Sequence, residues 1–240
     1  MKILYVIDHL GGGGAENQFV ETVSRVNRET HEIICFLTEG VGIRHDDLSG
    51  RGVKIIKCVK PRQGRDTLRA VRQLRQLVRS FRPDMLHSYL MYSAFVSNLA
   101  LLGMGRWPVF LATEFSSPER ILDEVRFRFL KKAMLKWSYG HLDRLVTTST
   151  GVKEEMVSLG YLAAERISVI HEGVDLERCS PAPKEALRRE LGLPEEKKVV
   201  SVVSSLVERK GHRYLLEALS GVLGVYDDVV LYVLGDGPER

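Results

Sequence analysis

Cysteine is scarce in this chain: among 240 residues only Cys35, Cys58 and Cys179 occur, an odd number without any CxxC or Cys/His pairing at metal spacing. A disulfide framework and a cysteine-built zinc site are thereby excluded, leaving buried or half-buried thiols as the plain expectation. Long apolar runs are missing too. No stretch approaches the roughly 18 residues that cross a bilayer, and the opening MKILYVIDHL turns polar too soon for a secretory signal, so a cytoplasmic location is expected. Aromatic residues make up 8%, and no base-stacking motif or recognition-helix signature accompanies the basic ones, so no nucleic-acid partner is expected. Nor does one sign of charge dominate. A net charge of +4, with 28% charged and 44% hydrophobic residues, excludes a disordered or fibrous chain and supplies ample material for a core.

What is present is a rhythm of short apolar runs alternating with helical patterns, which predicts the α/β class with a doubly wound sheet. Strands are predicted at residues 3–7, 32–37, 53–58, 84–87, 109–113, 144–148 and 167–170, each rich in β-branched or long aliphatic residues, as strands covered on both faces should be. Helices are predicted at about 15–26, with Phe19, Val20, Val23 and Val26 inward, and at 66–81, 93–102, 119–139 and 151–159. The turn formers and prolines of GVDLERCSPAP mark a boundary at Gly173–Pro183. A helix near 184–191, a strand at 198–206, a helix at 212–222 and a strand at 229–235 follow. These divide the chain into a first domain over 1–175, a linker over 176–197 and a partial second domain over 198–240. One βαβ unit cannot bury a two-sided sheet, so it is expected to pack on the first domain, pair with another chain or belong to a longer protein.

Three segments carry chemistry. Gly11–Gly14, followed by Ala15 and Glu16, lies between a strand and a helix, where glycines let a ligand approach the backbone and the helix start offers N–H groups to phosphate or sugar oxygens. A structural turn without a ligand is the alternative. The dinucleotide fingerprint G-x-G-x-x-G fails, since Glu16 or Asn17 falls where its third glycine belongs, and this disfavours an oxidoreductase. In LVERKG, Lys210 precedes Gly211 after a buried strand and before a helix, a placement suited to a diphosphate; a solvated turn is the alternative. HEGVD, at His171–Asp175, places the carboxylate of Glu172 and a flexible glycine where two domains would face each other, unless the stretch is merely linker.

In order and spacing these pieces resemble the retaining GT-B glycosyltransferases of family 4, whose GGxE loop, serine-led segment, NGVD crossover, GRLxxxKG and GDGPE correspond to GGGGAE at 11–16, TTSTGVKEEM at 147–156, HEGVD at 171–175, SSLVERKG at 204–211 and LGDGPE at 234–239. The resemblance spans the whole chain. It implies two Rossmann-like domains across a cleft, the second of them partial here, and transfer of a sugar from a nucleoside diphosphate sugar, UDP- or GDP-linked, to a saccharide or lipid-linked acceptor. No cofactor and no metal are implied. Carried over by position, Gly13 and Gly14 approach the donor phosphates and the sugar, Lys210 is the catalytic cation on the leaving diphosphate, and Asp236 and Gly237 lie beneath the nucleotide. Ser205, Arg209 and Glu172 complete the donor-side set; His9, Glu16 and His87, the last at the end of the fourth strand, form the acceptor side, with a structural hydrogen-bonded histidine as the alternative for His87. A preorganised ammonium and helix-end N–H groups would stabilise the charge on the leaving group.

Three departures point to weak or absent turnover by this chain alone. Ser205 stands where the family usually has a second diphosphate cation, with Arg209 offset from that place, and Phe115 stands where a histidine commonly contacts the donor. Phenylalanine has no hydrogen-bonding group to offer. The family's E-x7-E segment would fall beyond Arg240. A non-catalytic protein binding acceptor, membrane or partner is therefore the rival expectation.

The 66–81 helix carries Arg69, Arg72, Arg75 and Arg79 with Arg65 and Arg82 at its ends, opposite Leu68, Val71, Leu74, Val78 and Phe81. The segment RFRFLKKAMLKW adds Arg126, Arg128, Lys131, Lys132 and Lys136 beside Phe127, Phe129, Leu130, Met134, Leu135 and Trp137. Such mixtures suit anionic lipid headgroups and predict peripheral contact on the inner membrane face; packed helices with solvated outer faces are the alternative.

Overall fold

The computed structural model describes residues 1–40, 42–58, 66–105, 107–116, 128–181 and 183–240. Two compact units divide the chain, Met1–Gly173 and Val174–Arg240.

The first unit is a doubly wound α/β domain, as its rhythm predicts. Seven strands, β1 (Lys2–Ile7), β2 (Glu32–Leu37), β3 (Lys54–Lys57), β4 (Met85–Tyr89), β5 (Val109–Glu114), β6 (Arg144–Thr147) and β7 (Ile167–Val169), form one sheet in the order β3-β2-β1-β4-β5-β6-β7. Every pairing is parallel. The order reverses between β1 and β4, and the carboxyl edge at such a switch point is where open α/β sheets bind ligands. Helices α1 (Gly14–Ser24), α2 (His45–Ser49), α3 (Thr67–Phe81), α4 (Met91–Leu101), α5 (Arg128–Gly140) and α6 (Thr150–Ser158) connect the strands.

Side-chain alternation along the strands divides the core in two. Leu4, Val6, Leu86 and Phe110 pack with Leu74 and Val78 of α3, Leu101 of α4 and Tyr139 of α5. Ile3, Tyr5 and Ile7 pack on the other face with Phe19, Val20 and Val23 of α1 and Leu48 of α2. Local chemistry fixes the helix starts: Asp66 accepts the Arg69 N–H at 3.1 Å to cap α3, and Ser149 accepts the Val152 N–H at 3.3 Å to cap α6.

Several expectations need correction. Strand β4 begins at Met85 and runs on to Tyr89, so His87 sits at its middle rather than its end. Helix α1 stops at Ser24, which leaves Val26 beyond it, half-buried against the core. Helix α2 was not foreseen, since five residues with Leu48 as their only buried anchor carry no periodic signal. Of the long helix expected over 119–139, Arg128–Gly140 is seen as α5; Arg65, Arg126 and Phe127 lie outside the described residues, as do the side chains of Arg128 and Lys131.

The second unit contains α7 (Lys184–Glu190), β8 (Lys198–Val203), α8 (His212–Leu223) and β9 (Val229–Leu234), with β8 and β9 paired in parallel. Strand β8 ends three residues before the predicted Leu206, because the chain turns there and the Leu206 N–H bonds the Asp236 carbonyl at 2.9 Å.

Candidate functional site

In the first unit the glycine loop leaves β1 at the switch point and opens α1. Its N-cap, Gly13, has no side chain to cap the helix, and Glu16 supplies the negative charge instead. The Glu16 carboxylate folds back over the loop, so that a Cβ on Gly13 would lie 2.4 Å from its Oε2, whereas nothing crowds Gly14. His9 Nδ1 accepts the Gly11 N–H at 3.0 Å and stands 3.7 Å from Glu16 Oε1. That acceptance leaves the neutral ring's proton on Nε2. His9, Gly13, Gly14 and Glu16 are thus brought together. Glu172 lies in the exposed stretch after β7; beside it, the Gly173 carbonyl accepts Gln18 Nε2 at 2.9 Å, which ties this stretch to α1.

His87 is set apart from that group. Its Nε2 is 2.8 Å from Thr113 Oγ1, and its half-buried ring packs 5.7 Å from Tyr5 and 4.6 Å from Tyr89. Burial drives its pKa down to about 4, so the imidazole is neutral near pH 7. Phe115 is half-buried, 6.2 Å from Tyr89 at the rim of this aromatic cluster.

The second unit presents another carboxyl edge. Lys210 ends a 3-10 turn, Glu208–Lys210, closed by Gly211 in the left-handed region, and the side chains of Ser205, Arg209 and Lys210 are exposed. His212 opens α8 with Nε2 2.9 Å from Ser204 Oγ, which fixes the helix start against the end of β8. Asp236 and Gly237 follow β9 on the same edge. A Cβ on Gly235 would stand 1.8 Å from the Ser204 carbonyl oxygen, and one on Gly237 2.2 Å from that of Leu206, so only glycines let these loops lie so close. A cavity of about 430 Å³ lies here, lined by residues that include Leu206, His212, Asp236 and Arg240.

Sequence reasoning missed the carboxyl of Glu114. It is 3% exposed at the end of β5, and Tyr139 donates its hydroxyl to Oε1 at 3.0 Å. Burial pushes its pKa up to about 8; the charge of nearby Asp8 adds to the rise and the Tyr139 hydrogen bond opposes it. Asp8, 7% exposed, accepts hydroxyls from Ser93 and Thr38. The available signal was phase: Leu4, Val6 and Asp8 alternate in step along β1 and its end, as do Phe110, Ala112 and Glu114 along β5, on one buried face.

Among the described residues no helix is long and apolar enough to cross a membrane. No group of three or more His, Cys, Asp or Glu among them could hold a metal ion.

The fold recurs in known proteins. Over 83 residues the chain is 35% identical to the D-inositol 3-phosphate glycosyltransferase of Mycolicibacterium smegmatis, covering 35% of this chain and 19% of that protein. HepE of Anabaena, solved with UDP and glucose, superposes with a TM-score of 0.79 at 19% identity, over 99% of this chain and 61% of its own. Sucrose-phosphate synthase of Thermosynechococcus elongatus gives a TM-score of 0.75 at 16% identity, over 100% and 64%. The chain therefore spans about three fifths of these solved structures, and its matching stretch about a fifth of the curated relative. At such identities the structural likeness establishes the fold, of GT-B type. The family model described as Glycosyltransferase Family 4 matches residues 12–178, from the glycine loop to just past the HEGVD stretch, and by that match the chain belongs to glycosyltransferase family 4.

Proposed function

We propose that this protein transfers a hexose-like unit from a UDP- or GDP-linked sugar to a hydroxyl of a saccharide or lipid-linked acceptor, with retention of configuration. The observation that carries this is the second unit's carboxyl edge, where the exposed Lys210 ammonium stands on the same side as the close-packed Gly235–Gly237 loop. Breaking a sugar–phosphate bond places negative charge on the departing diphosphate. Lys210 meets that charge as a mobile cation, and the α8 start adds its free N–H groups and positive dipole end, so stabilisation grows as the bond breaks. Family membership and the UDP-bound HepE support UDP as the carrier. Within the first unit, Gly13 and Gly14 leave backbone open to a sugar or phosphate oxygen, and His9 offers its Nε2 proton to an acceptor hydroxyl, with Glu16 beside it.

Turnover is slow in this reading. Ser205 supplies no second cation, and Phe115 packs among aromatic rings without a hydrogen bond to offer. The same two residues favour the rival, a non-catalytic binding protein. Cys35, Cys58 and Cys179 form no disulfide, which suits the reducing cytoplasm. Exposed Arg72, Arg79 and Arg82 support docking on an anionic membrane surface that would present a lipid-linked acceptor.

Calorimetric titration with UDP and UDP-glucose tests the donor site. Micromolar UDP binding supports it, and absence of binding at millimolar nucleotide overturns it. Hydrolysis or transfer of UDP-glucose separates the enzyme from the binding protein.

A further inference from the structure

The turn that carries Lys210 is bonded locally within itself, and its two ends are held in different ways. On the near side the chain is pinned to the loop after β9: the Leu206 N–H bonds the Asp236 carbonyl at 2.9 Å, and the Glu239 N–H bonds the Leu206 carbonyl at 3.1 Å. Within the turn the Lys210 N–H bonds the Val207 carbonyl and the Gly211 N–H that of Glu208, both at 2.9 Å. On the far side α8 starts from Gly211, whose φ of +69° lies in the left-handed region and which has no side chain to cap the helix. Among the described residues, the hydrogen bond that spans the turn joins two side chains. His212, at the first position of α8, has Nε2 2.9 Å from Oγ of Ser204, just after β8. Ser204 is itself held, since its N–H bonds the Leu234 carbonyl at 3.0 Å and a Cβ on Gly235 would lie 1.8 Å from its carbonyl oxygen. The His212 ring is half-buried, and its Nδ1 is buried with no hydrogen-bond partner among the described residues, so Ser204 is the polar group that fixes the ring. Leaving a buried ring nitrogen unpartnered is unfavourable, so stability alone does not explain a histidine at this place.

We propose that His212 is a positioning residue for the diphosphate seat: through Ser204 it fixes the Lys210 turn and the α8 start in place before the nucleotide arrives. Lys210 and Gly211 lie between the chain pinned at Leu206 and the ring pinned at His212, so their freedom falls when that bond closes. A cation and helix-end N–H groups that are ordered beforehand lose less entropy on binding, and more of their interaction with a diphosphate appears as affinity. His212 acts on the donor only through the turn and takes no part in the bond-breaking step. This role rests on the donor reading above, and the two are tested separately.

The natural protein is compared with Ser204→Ala, with His212→Leu, which keeps an apolar body without a hydrogen-bonding group, with the double variant, and with His212→Gln, whose amide can reach Ser204 as Nε2 does. Hydrogen exchange of the Lys210 and Gly211 amides, read without ligand at one pH, reports the turn. Each single variant should exchange there at least about threefold faster, and His212→Gln at close to the natural rate. Calorimetric titration with UDP reports the seat. Each single variant should bind about fivefold more weakly, the change that one ordinary hydrogen bond supports, and the double variant no more weakly than the weaker single one. His212→Gln should stay within about twofold of the natural affinity. A merely structural role would lower the melting temperature and leave the UDP affinity of the folded protein unchanged, which overturns the proposal. Unchanged exchange at the turn overturns it as well, and so do losses that add in the double variant, since those would put His212 on the ligand rather than on Ser204. Should His212→Leu not fold, Ser204→Ala, a change of one hydroxyl, carries both readouts. Absence of UDP binding by the natural protein at millimolar nucleotide overturns the donor reading and this role with it, whereas intact binding with unmoved affinity in the variants overturns this role alone.

Discussion

Gly42 stands so close to Leu10 that a Cβ upon it would lie 2.2 Å from the Leu10 carbonyl oxygen. The contact clamps the loop after β2 onto the chain that leads into Gly11–Gly14, and the Arg44 N–H bonds the same oxygen at 2.9 Å. Arg44 continues the clamp to α1 by donating to Asn17 Oδ1 at 2.7 Å.

Because Gly42 also has φ of +81°, Gly42→Ala incurs both a clash with rigid backbone and a left-handed strain. The expected loss of stability is about 2–3 kcal/mol, measured as a shift of the urea midpoint at unchanged slope. A loss below about 0.5 kcal/mol, the ordinary effect of a surface substitution, would show that the clamp yields freely.

The strands were legible because burial on both faces demands runs such as EIICFL, whose predicted bounds match β2. Polar residues at strand ends were not. Ser88 and Tyr89 read as the start of a loop, yet Ser88 Oγ finds Ser97 Oγ at 2.8 Å inside the core and β4 continues through both. Glu114 was read as the first residue after its strand for the same reason. A sequence does not display the Tyr139 hydroxyl, 25 residues away, that makes a buried acid tolerable. The glycine loop and the ERKG turn were legible because glycine at a strand-to-helix junction has few structural uses; the folding of Glu16 over Gly13 needed coordinates.

His87 gives the acid limb of stability. Its ring is neutral in the fold down to about pH 4, whereas unfolded it gains a proton near 6.5, so its contribution is present above pH 6.5 and is lost as pH falls through 4. The loss amounts to at most about 3 kcal/mol. Thermal melts of the natural protein and His87→Gln from pH 7 to 4 check it. The variant should lose less of its stability over that range, and identical slopes would place the acid limb on other groups.

Membrane docking depends on the outer face of α3 and its end. Arg72, Arg79 and Arg82 are exposed, and Arg79 and Arg82 line a cavity of about 430 Å³ with Met104 and Pro108 at the amino edge of the sheet, away from the glycine loop. Each such cation is worth about 1 kcal/mol near an anionic surface, so replacing all three by glutamine should weaken binding to phosphatidylserine vesicles about a hundredfold. Flotation is the measurement. Equal recovery with neutral and anionic vesicles, or no effect of the triple replacement, removes the membrane from the proposal.

Lys210 and Arg209 are neighbours on one turn, both exposed, and the donor proposal distinguishes them. Lys210 directly precedes Gly211 and the start of α8, so its ammonium and the helix-end N–H groups can act on one diphosphate, whereas Arg209 is offset from that place. Lys210→Ala should therefore weaken UDP affinity ten- to a hundredfold, about 1.4–2.8 kcal/mol, and Arg209→Ala less than about threefold. Neither change should move the melting temperature appreciably, since both side chains lie in solvent. Calorimetry with UDP reads both affinities. Equal losses at the two positions would mean a diffuse basic surface attracting any polyanion, and added salt would then abolish the binding, whereas a diphosphate seated on the α8 start would persist at moderate ionic strength.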